Sequence, residues 1–198
     1  MEGELELVHK AQKGDQRAFS LLVKKYESTV YSFAYKVCRN EEKAAETLQD
    51  TFVNVYRKLD QFNGKAKFST WLYQIVTNNC LMKRRQSKLD KSSVSIESHG
   101  DEQGASEQQG NGAPLLSLVS LTQTPQDEVV NKELREHLDK AILKLPMEQM
   151  IVFILRDVEG RSSEKAAKIL KVSVPAVKSR LRRARVFLRK QLQEYMEV

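Results

Sequence analysis

Seven basic side chains, Lys178, Arg180, Arg182, Arg183, Arg185, Arg189 and Lys190, crowd the stretch PAVKSRLRRARVFLRK (175–190), which holds no acid. Groups of this kind at this density bind polyanions. An arginine fork fits a phosphate or the major-groove edge of guanine, and most other basic contacts only position a helix on the backbone. No bond-making chemistry is visible beside them: the chain has no GxxxxGK[ST] loop, no clustered metal ligands and no nucleophile with a base at a recognisable spacing. Cys38 and Cys80 lack CxxC spacing and the three histidines lie far apart. Zinc and disulfide roles are therefore not expected, and both thiols read as core residues of apolar helical patterns. The expectation is a binding protein that is not an enzyme, with no metal and no cofactor.

A helix has to carry the basic residues. Val174, Val177, Leu181, Ala184, Leu188 and Leu192 recur at three-four spacing and make one buried stripe, with Pro175 in the first turn, where its missing N–H costs nothing. Just upstream, Ser162 can cap a short helix, EKAAKIL, and the turn KVS joins the two. That is the pattern of a helix-turn-helix, whose second helix puts its N-terminal part into the major groove. Ala176, Lys178, Ser179, Arg180 and Arg183, with Arg182 among them, are the candidates for base or phosphate contact. Alone, a basic helix could equally be the solvated face of an ordinary helical protein; the capped helix and tight turn decide for DNA.

The remaining elements follow the same spacing. Phe19, Leu22, Val23, Tyr26, Val30, Phe33, Ala34 and Val37 make one long amphipathic helix after a cap at Asp15; Ala44, Ala45, Leu48, Phe52, Val55, Tyr56 and Leu59 make a second, ended by the Asn63-Gly64 turn. A third is expected to start at a Ser69 cap and run through Trp71, Leu72, Ile75, Val76 and Met82 into KRRQSK. Helical spacing resumes at Val129, Val130, Leu134, Leu138, Ile142, Leu143 and Leu145 and stops at Pro146, followed by MEQMIVFILRDV up to Glu159-Gly160. The fold class is all-α: two helical domains joined by a flexible linker, the second containing the helix-turn-helix. Domains are expected at 1–88 and 127–198.

Residues 89–126, rich in Ser, Gly, Gln and acids, cannot bury enough apolar surface to offset their ordering entropy and read as the linker. Leu115, Leu116, Leu118, Val119 and Leu121 are its exception, either a segment docking on a partner or a local patch. Charge follows the same division. Residues 1–88 hold 16 basic and 10 acidic side chains, 89–125 one and five, 126–198 16 and 11, so two basic blocks flank an acidic connector. The N-terminus MEGELELVHK lacks the apolar stretch of a signal peptide, and the longest apolar run, MIVFIL, is far too short to span a bilayer. A cytoplasmic protein with no direct membrane insertion is expected.

The stretch LKLPMEQMIVFILRDVEGRSSEKAAKILKVSVPAVKSRLRRARVFLRKQL resembles the promoter-reading fourth domain of the extracytoplasmic-function (ECF) sigma factors of bacterial RNA polymerase. GDQRAFSLLVKKY, NEEKAAETLQDTFVNVYRKLDQF and FSTWLYQIVTNNC resemble that family's second domain, in the family's order. The resemblance implies a specificity subunit that directs core polymerase to promoters and assists their melting. It implies that Glu46, Gln49, Asp50 and Phe52 grip the clamp coiled coil of the largest polymerase subunit, although as residues they also fit an ordinary acidic helix surface. It implies that the loop 62–68 and the following helix bind the melted minus-10 strand. The residues there suit single strands: Lys65 and Lys67 for phosphates, the rings of Phe62, Phe68, Trp71 and Tyr73 for stacking, Asn78 and Asn79 for an extruded base, and Lys83, Arg84 and Arg85 for duplex upstream. Trp71 fits a half-core position as well as a stacking one. The helix-turn-helix would read the minus-35 element with 175–185.

Three departures from the family pattern stand out. Ala45 occupies the place of an acid, Lys171 stands where glycine is favoured in the turn, and Pro175-Ala176 replaces the common Gly-Thr. The resemblance also implies an anti-sigma protein as partner, and a linker that either passes through the polymerase's RNA exit path or lies in solvent. A second reading stays open: a regulator that binds duplex DNA by the helix-turn-helix and senses a signal with residues 1–88, which predicts a ligand pocket or dimer surface there.

Overall fold

The computed structural model describes residues 2–93 and 125–196, which form helices and the turns between them, and the chain divides into two compact units, Met1–Asn111 and Gly112–Val198. In the first unit α1 (Glu2–Gln12) is followed by α2 (Gln16–Cys38), α3 (Glu41–Lys58), a 3-10 turn (Leu59–Gln61) and α4 (Phe68–Ser93). Asp15 caps α2 as its spacing predicts, its carboxylate accepting from the Arg17 and Ala18 amides. α2 stops at Arg39, which sits in the left-handed region (φ 54°), and Asn40 at once caps α3 through the Lys43 amide. The start of α4 differs from expectation. The Thr70 and Trp71 amides bond the Lys67 carbonyl, so the helix begins before Ser69, which lies inside its first turn.

The core of this unit is the meeting of the apolar stripes: Leu22, Val30, Phe33 and Val37 from α2, Ala44 and Val55 from α3, and Phe68, Leu72, Tyr73 and Val76 from α4. Burying several such side chains at about 1.5–3 kcal/mol each is what holds helices of this length together. Val8 and Ala11 bring α1 into the same core, and the Gln12 amide reaches the carbonyls of Leu59 and Phe62 at 2.9 and 2.8 Å. That bond fixes the entry to the loop ahead of α4.

In the second unit α5 (Pro125–Lys144) stops before Pro146, and α6 (Met147–Phe153) widens into one π-helical turn (Ile154–Val158) that ends at Gly160, φ 63°. Next come α7 (Ser163–Leu170), capped by Ser162, a three-residue turn and α8 (Val174–Met196). Ser173 caps α8 through the Ala176 amide. Val177, Leu181, Ala184 and Leu188 are buried, as the three-four spacing requires, against Ile142, Leu145, Met150, Ile151, Ile154, Leu155, Ala166 and Ile169. Lys171 holds the turn in the left-handed conformation (φ 53°, ψ 43°).

No helix among the described residues is long and apolar enough to cross a membrane. α4 extends to Ser93 and α5 starts at Pro125; the rest of the expected linker, with Leu115, Leu116, Leu118, Val119 and Leu121, lies outside the described residues, as do the side chains of Arg84, Val129 and Val130.

Candidate nucleic-acid interface

α8 sorts its basic residues by face. Its apolar stripe is committed to the core, so Lys178, Ser179, Arg182 and Arg183 turn outward and line one shallow hollow. Four such groups around a polar hollow suit phosphate oxygens or base edges. Ala176 is half-buried at the edge of this face. Arg180 lies on the opposite flank, 27% exposed, paired at 2.7 Å with Glu148 of α6. Arg185 is also engaged, forking onto both oxygens of Asp157 at 2.7 and 2.8 Å. Asp157 sits in the π-helical turn, whose extra residue re-aims side chains relative to a regular helix. The spacing of α6 gave no sign of that turn.

In the first unit, α4 carries the single-strand candidates with unequal accessibility. Trp71, Gln74, Asn78, Met82 and Arg85 follow one another at three-four spacing along the side of α4 that reaches solvent. Lys65 and Lys67 are exposed on the loop leading into it, where Gly64 takes φ 72° and the Asn63 side chain accepts from the Lys65 amide. Phe62 is 7% exposed, packed edge-on against Phe68 and tilted against Trp71 at centroid distances of 5.5 and 5.4 Å. Its ring is core, and it supports Trp71 from beneath. Asn79, neighbour of exposed Asn78, is buried: it donates to the Thr51 hydroxyl and accepts from the Asn54 amide, and Thr51 in turn donates to the Thr47 carbonyl. A buried amide must have such partners, and these tie α3 to α4.

Lys83 belongs to a different group from the one its sequence neighbours suggest. Its ammonium lies 2.8 Å from Asp50 and 3.1 Å from Glu46, both on α3. Partial burial lowers its proton affinity, but the bonds from the two carboxylates outweigh that and raise it overall. Glu46 and Asp50 are otherwise exposed. Beside them, Gln49 and Phe52 line an apolar groove completed by Phe19, Val23, Ala45, Leu48, Val53, Tyr56 and Arg57. Tyr56 is 60% and Val53 42% exposed, although Tyr56 falls on the apolar spacing of α3. Ala45, where the family pattern has an acid, forms part of this groove. Cys80 is buried as expected, while Cys38, the last residue of α2, is half-buried. Among the described residues there is no group of three His, Cys, Asp or Glu side chains suited to a metal ion.

The described residues thus make two helical units, one carrying a helix-turn-helix and the other a helix with aromatic, amide and basic groups along its solvent side. Residues 22–89 match the model of sigma-70 region 2 and residues 135–188 that of sigma-70 region 4. The chain is 34% identical over 188 residues to the ECF RNA polymerase sigma factor SigW of Bacillus subtilis, covering 94% of this chain and 95% of that one. It is 32% identical over 182 residues to the ECF RNA polymerase sigma-E factor of Escherichia coli K12, covering 90% and 88%. The solved structure of the sigma factor RpoE with the anti-sigma factor NepR from Bartonella quintana aligns with TM-score 0.57 at 26% identity, covering 88% of this chain and 96% of that one. CnrH, solved with the cytosolic domain of CnrY, shares the fold, with TM-score 0.62 at 23% identity over 95% and 96% of the chains. The chain belongs to the ECF sigma factors, the RNA polymerase subunits that initiate transcription and carry no catalysis of their own.

Proposed function

We propose a division of this sigma factor's work among three surfaces. Residues 1–88 bind core polymerase and the melted minus-10 strand, 89–126 connect, and 127–198 read the minus-35 duplex. The observation that carries the reading is the α8 face, where Lys178, Ser179, Arg182 and Arg183 stand together in solvent while the opposite stripe is buried. With the N-terminus of α8 entering the major groove, these four are the principal contacts, and Ala176 and Arg180 flank them.

On α4 the stacking residue is Trp71, backed by Phe62 and Phe68, and Asn78 is the amide that meets an extruded base. Lys65 and Lys67 hold phosphates on the approach, Arg84 and Arg85 hold the upstream duplex, and Asn79 supports from within. Holding unpaired bases offsets the cost of opening the duplex, which is how a protein without catalysis assists melting. The α2–α3 groove with Gln49 and Phe52, rimmed by Glu46 and Asp50, receives the polymerase clamp coiled coil; an apolar centre with a charged rim is the usual anatomy of a protein interface. RpoE is bound by an anti-sigma factor, NepR, and a protein of that kind is the partner that would hold this chain inactive.

The test is run-off transcription on fragmented genomic DNA, with bacterial core polymerase with and without this protein, and sequencing of the transcript ends. New starts sharing two upstream motifs at fixed spacing are expected. The Arg182→Ala/Arg183→Ala protein should lose starts that depend on the upstream motif while still binding core polymerase. Equal loss of both activities would overturn the division of labour.

A further inference from the structure

The only two cysteines of the chain, 42 positions apart in sequence, meet in the fold: Cys38 ends α2, Cys80 lies in the fourth turn of α4, and their thiols interact side chain to side chain. We propose that Cys38 and Cys80 form a peroxide-sensitive dithiol, with Cys38 as the attacking thiol and Cys80 as the resolving one.

Four observations carry the assignment. The first is access, since Cys38 is half-buried at a helix end whereas Cys80 is buried, so a small oxidant reaches Cys38 first. The second is activation. The Cys38 sulfur stands 3.8 Å from the Thr47 hydroxyl, with the Lys83 and Lys43 ammonium groups near enough to favour the thiolate. The Cys38 thiol is lowered to about 7 by its bond with Cys80, against the opposing effect of burial, with Thr47 and the two lysines adding to the lowering; Cys80 is pushed well above the ordinary thiol range by Cys38 and by burial. One sulfur is thus prepared to attack and the other to stay protonated until it resolves. The third is position: Cys38 is the last residue of α2, and the chain leaves the helix immediately after it through Arg39 (φ 54°) and the extended Asn40, so the thiol sits at a helix end and not within a regular helix. The fourth is placement: Lys83, one turn beyond Cys80 on α4, holds Glu46 and Asp50 of α3, so Cys80 lies close to the ion pairs that join α3 to α4.

The chemistry balances with a peroxide as the oxidant. The Cys38 thiolate attacks one peroxide oxygen, the O–O bond breaks, and an alcohol (water, from hydrogen peroxide) leaves as Cys38 becomes a sulfenic acid. The Cys80 sulfur then attacks the Cys38 sulfur, the S–S bond forms, and the hydroxyl leaves as water with the Cys80 proton. Two thiols lose two electrons in all and one peroxide gains them.

The experiment uses the full chain, fully reduced, treated with a small excess of hydrogen peroxide, alkylated and digested without reductant for mass spectrometry. The expected product is a cross-linked Cys38–Cys80 peptide from a chain that stays monomeric, restored by a thiol reductant. Its formation should slow about tenfold per pH unit well below 7, following the thiolate fraction. In Cys80→Ser, dimedone should trap Cys38 as the sulfenic acid; Cys80→Ala serves equally if the hydroxyl unsettles the core. In Cys38→Ser, Cys80 should remain unoxidised. Disulfides formed only between chains, or Cys80 oxidised as fast without Cys38, would overturn the proposal, as would two thiols still alkylated after peroxide has oxidised an equimolar small dithiol.

Discussion

Lys83 is held by two carboxylates, Glu46 and Asp50, that belong to the surface proposed for the polymerase. A cationic partner at this surface would therefore compete with Lys83 for carboxylates already in use. Asp50→Arg should lower core polymerase affinity at least tenfold with helical content unchanged, because Asp50 is exposed and its loss leaves no buried charge; unchanged affinity in a titration of labelled protein would remove α3 from the interface. Arg180 gives the matching case in the second unit. Arg180→Ala should weaken minus-35 binding, whereas Glu148→Gln, which releases Arg180 and removes a nearby acid, should strengthen it severalfold in fluorescence anisotropy with promoter duplex. If Glu148→Gln has no effect, the pair is only a brace between α6 and α8. Such pairings are where the sequence runs short. Asn78 and Asn79 are the same residue type in adjacent positions, and only the rotation of α4 sends one into solvent and the other into the Thr51–Asn54 network. Lys83 likewise sits one place before Arg84 and Arg85 in a basic run, and only the packing of α3 gives it carboxylates to hold.

Helices were the most legible part of the chain, since a stripe of apolar residues at three-four spacing has few other ways to be buried. The stripe from Val177 to Leu188, the caps at Asp15 and Ser162 and the three-residue turn follow directly from residue type. The start of α4 departs from residue type: Ser69 is a good cap by type, yet Lys67 captures the first amides through its backbone carbonyl. The π-helical turn left no mark at all, since its residues are as apolar as those of a regular helix. Lys171 was legible as a site of strain. A side chain in the left-handed region costs about 1 kcal/mol, part of which glycine would give back through its freer unfolded chain. Lys171→Gly should therefore raise the melting temperature of the second unit by a few degrees at most, and Lys171→Val, β-branched, should lower it, both read by thermal circular dichroism. A fall on introducing glycine would mean that the lysine side chain holds the turn in some other way.

At the scale of the whole molecule, each unit has its own buried core, and one chain carries both. Joining two binding units in one chain makes the second binding event intramolecular, so engagement of one raises the effective concentration of the other. Cleavage at a protease site inserted between residues 94 and 124 should leave both halves folded by circular dichroism. It should also reduce promoter-directed transcription by tenfold or more at micromolar protein; full activity from the mixed halves would show that the tether is dispensable. The α2–α3 groove has a cost of its own. Phe19, Leu48, Phe52, Val53 and Tyr56 in contact with water make an adhesive surface, and chains that carry one tend to stick to each other as their concentration rises. The same rings proposed to meet the polymerase should therefore limit how much of this protein a solution can hold unaccompanied, and a partner that covers them would act as a solubiliser.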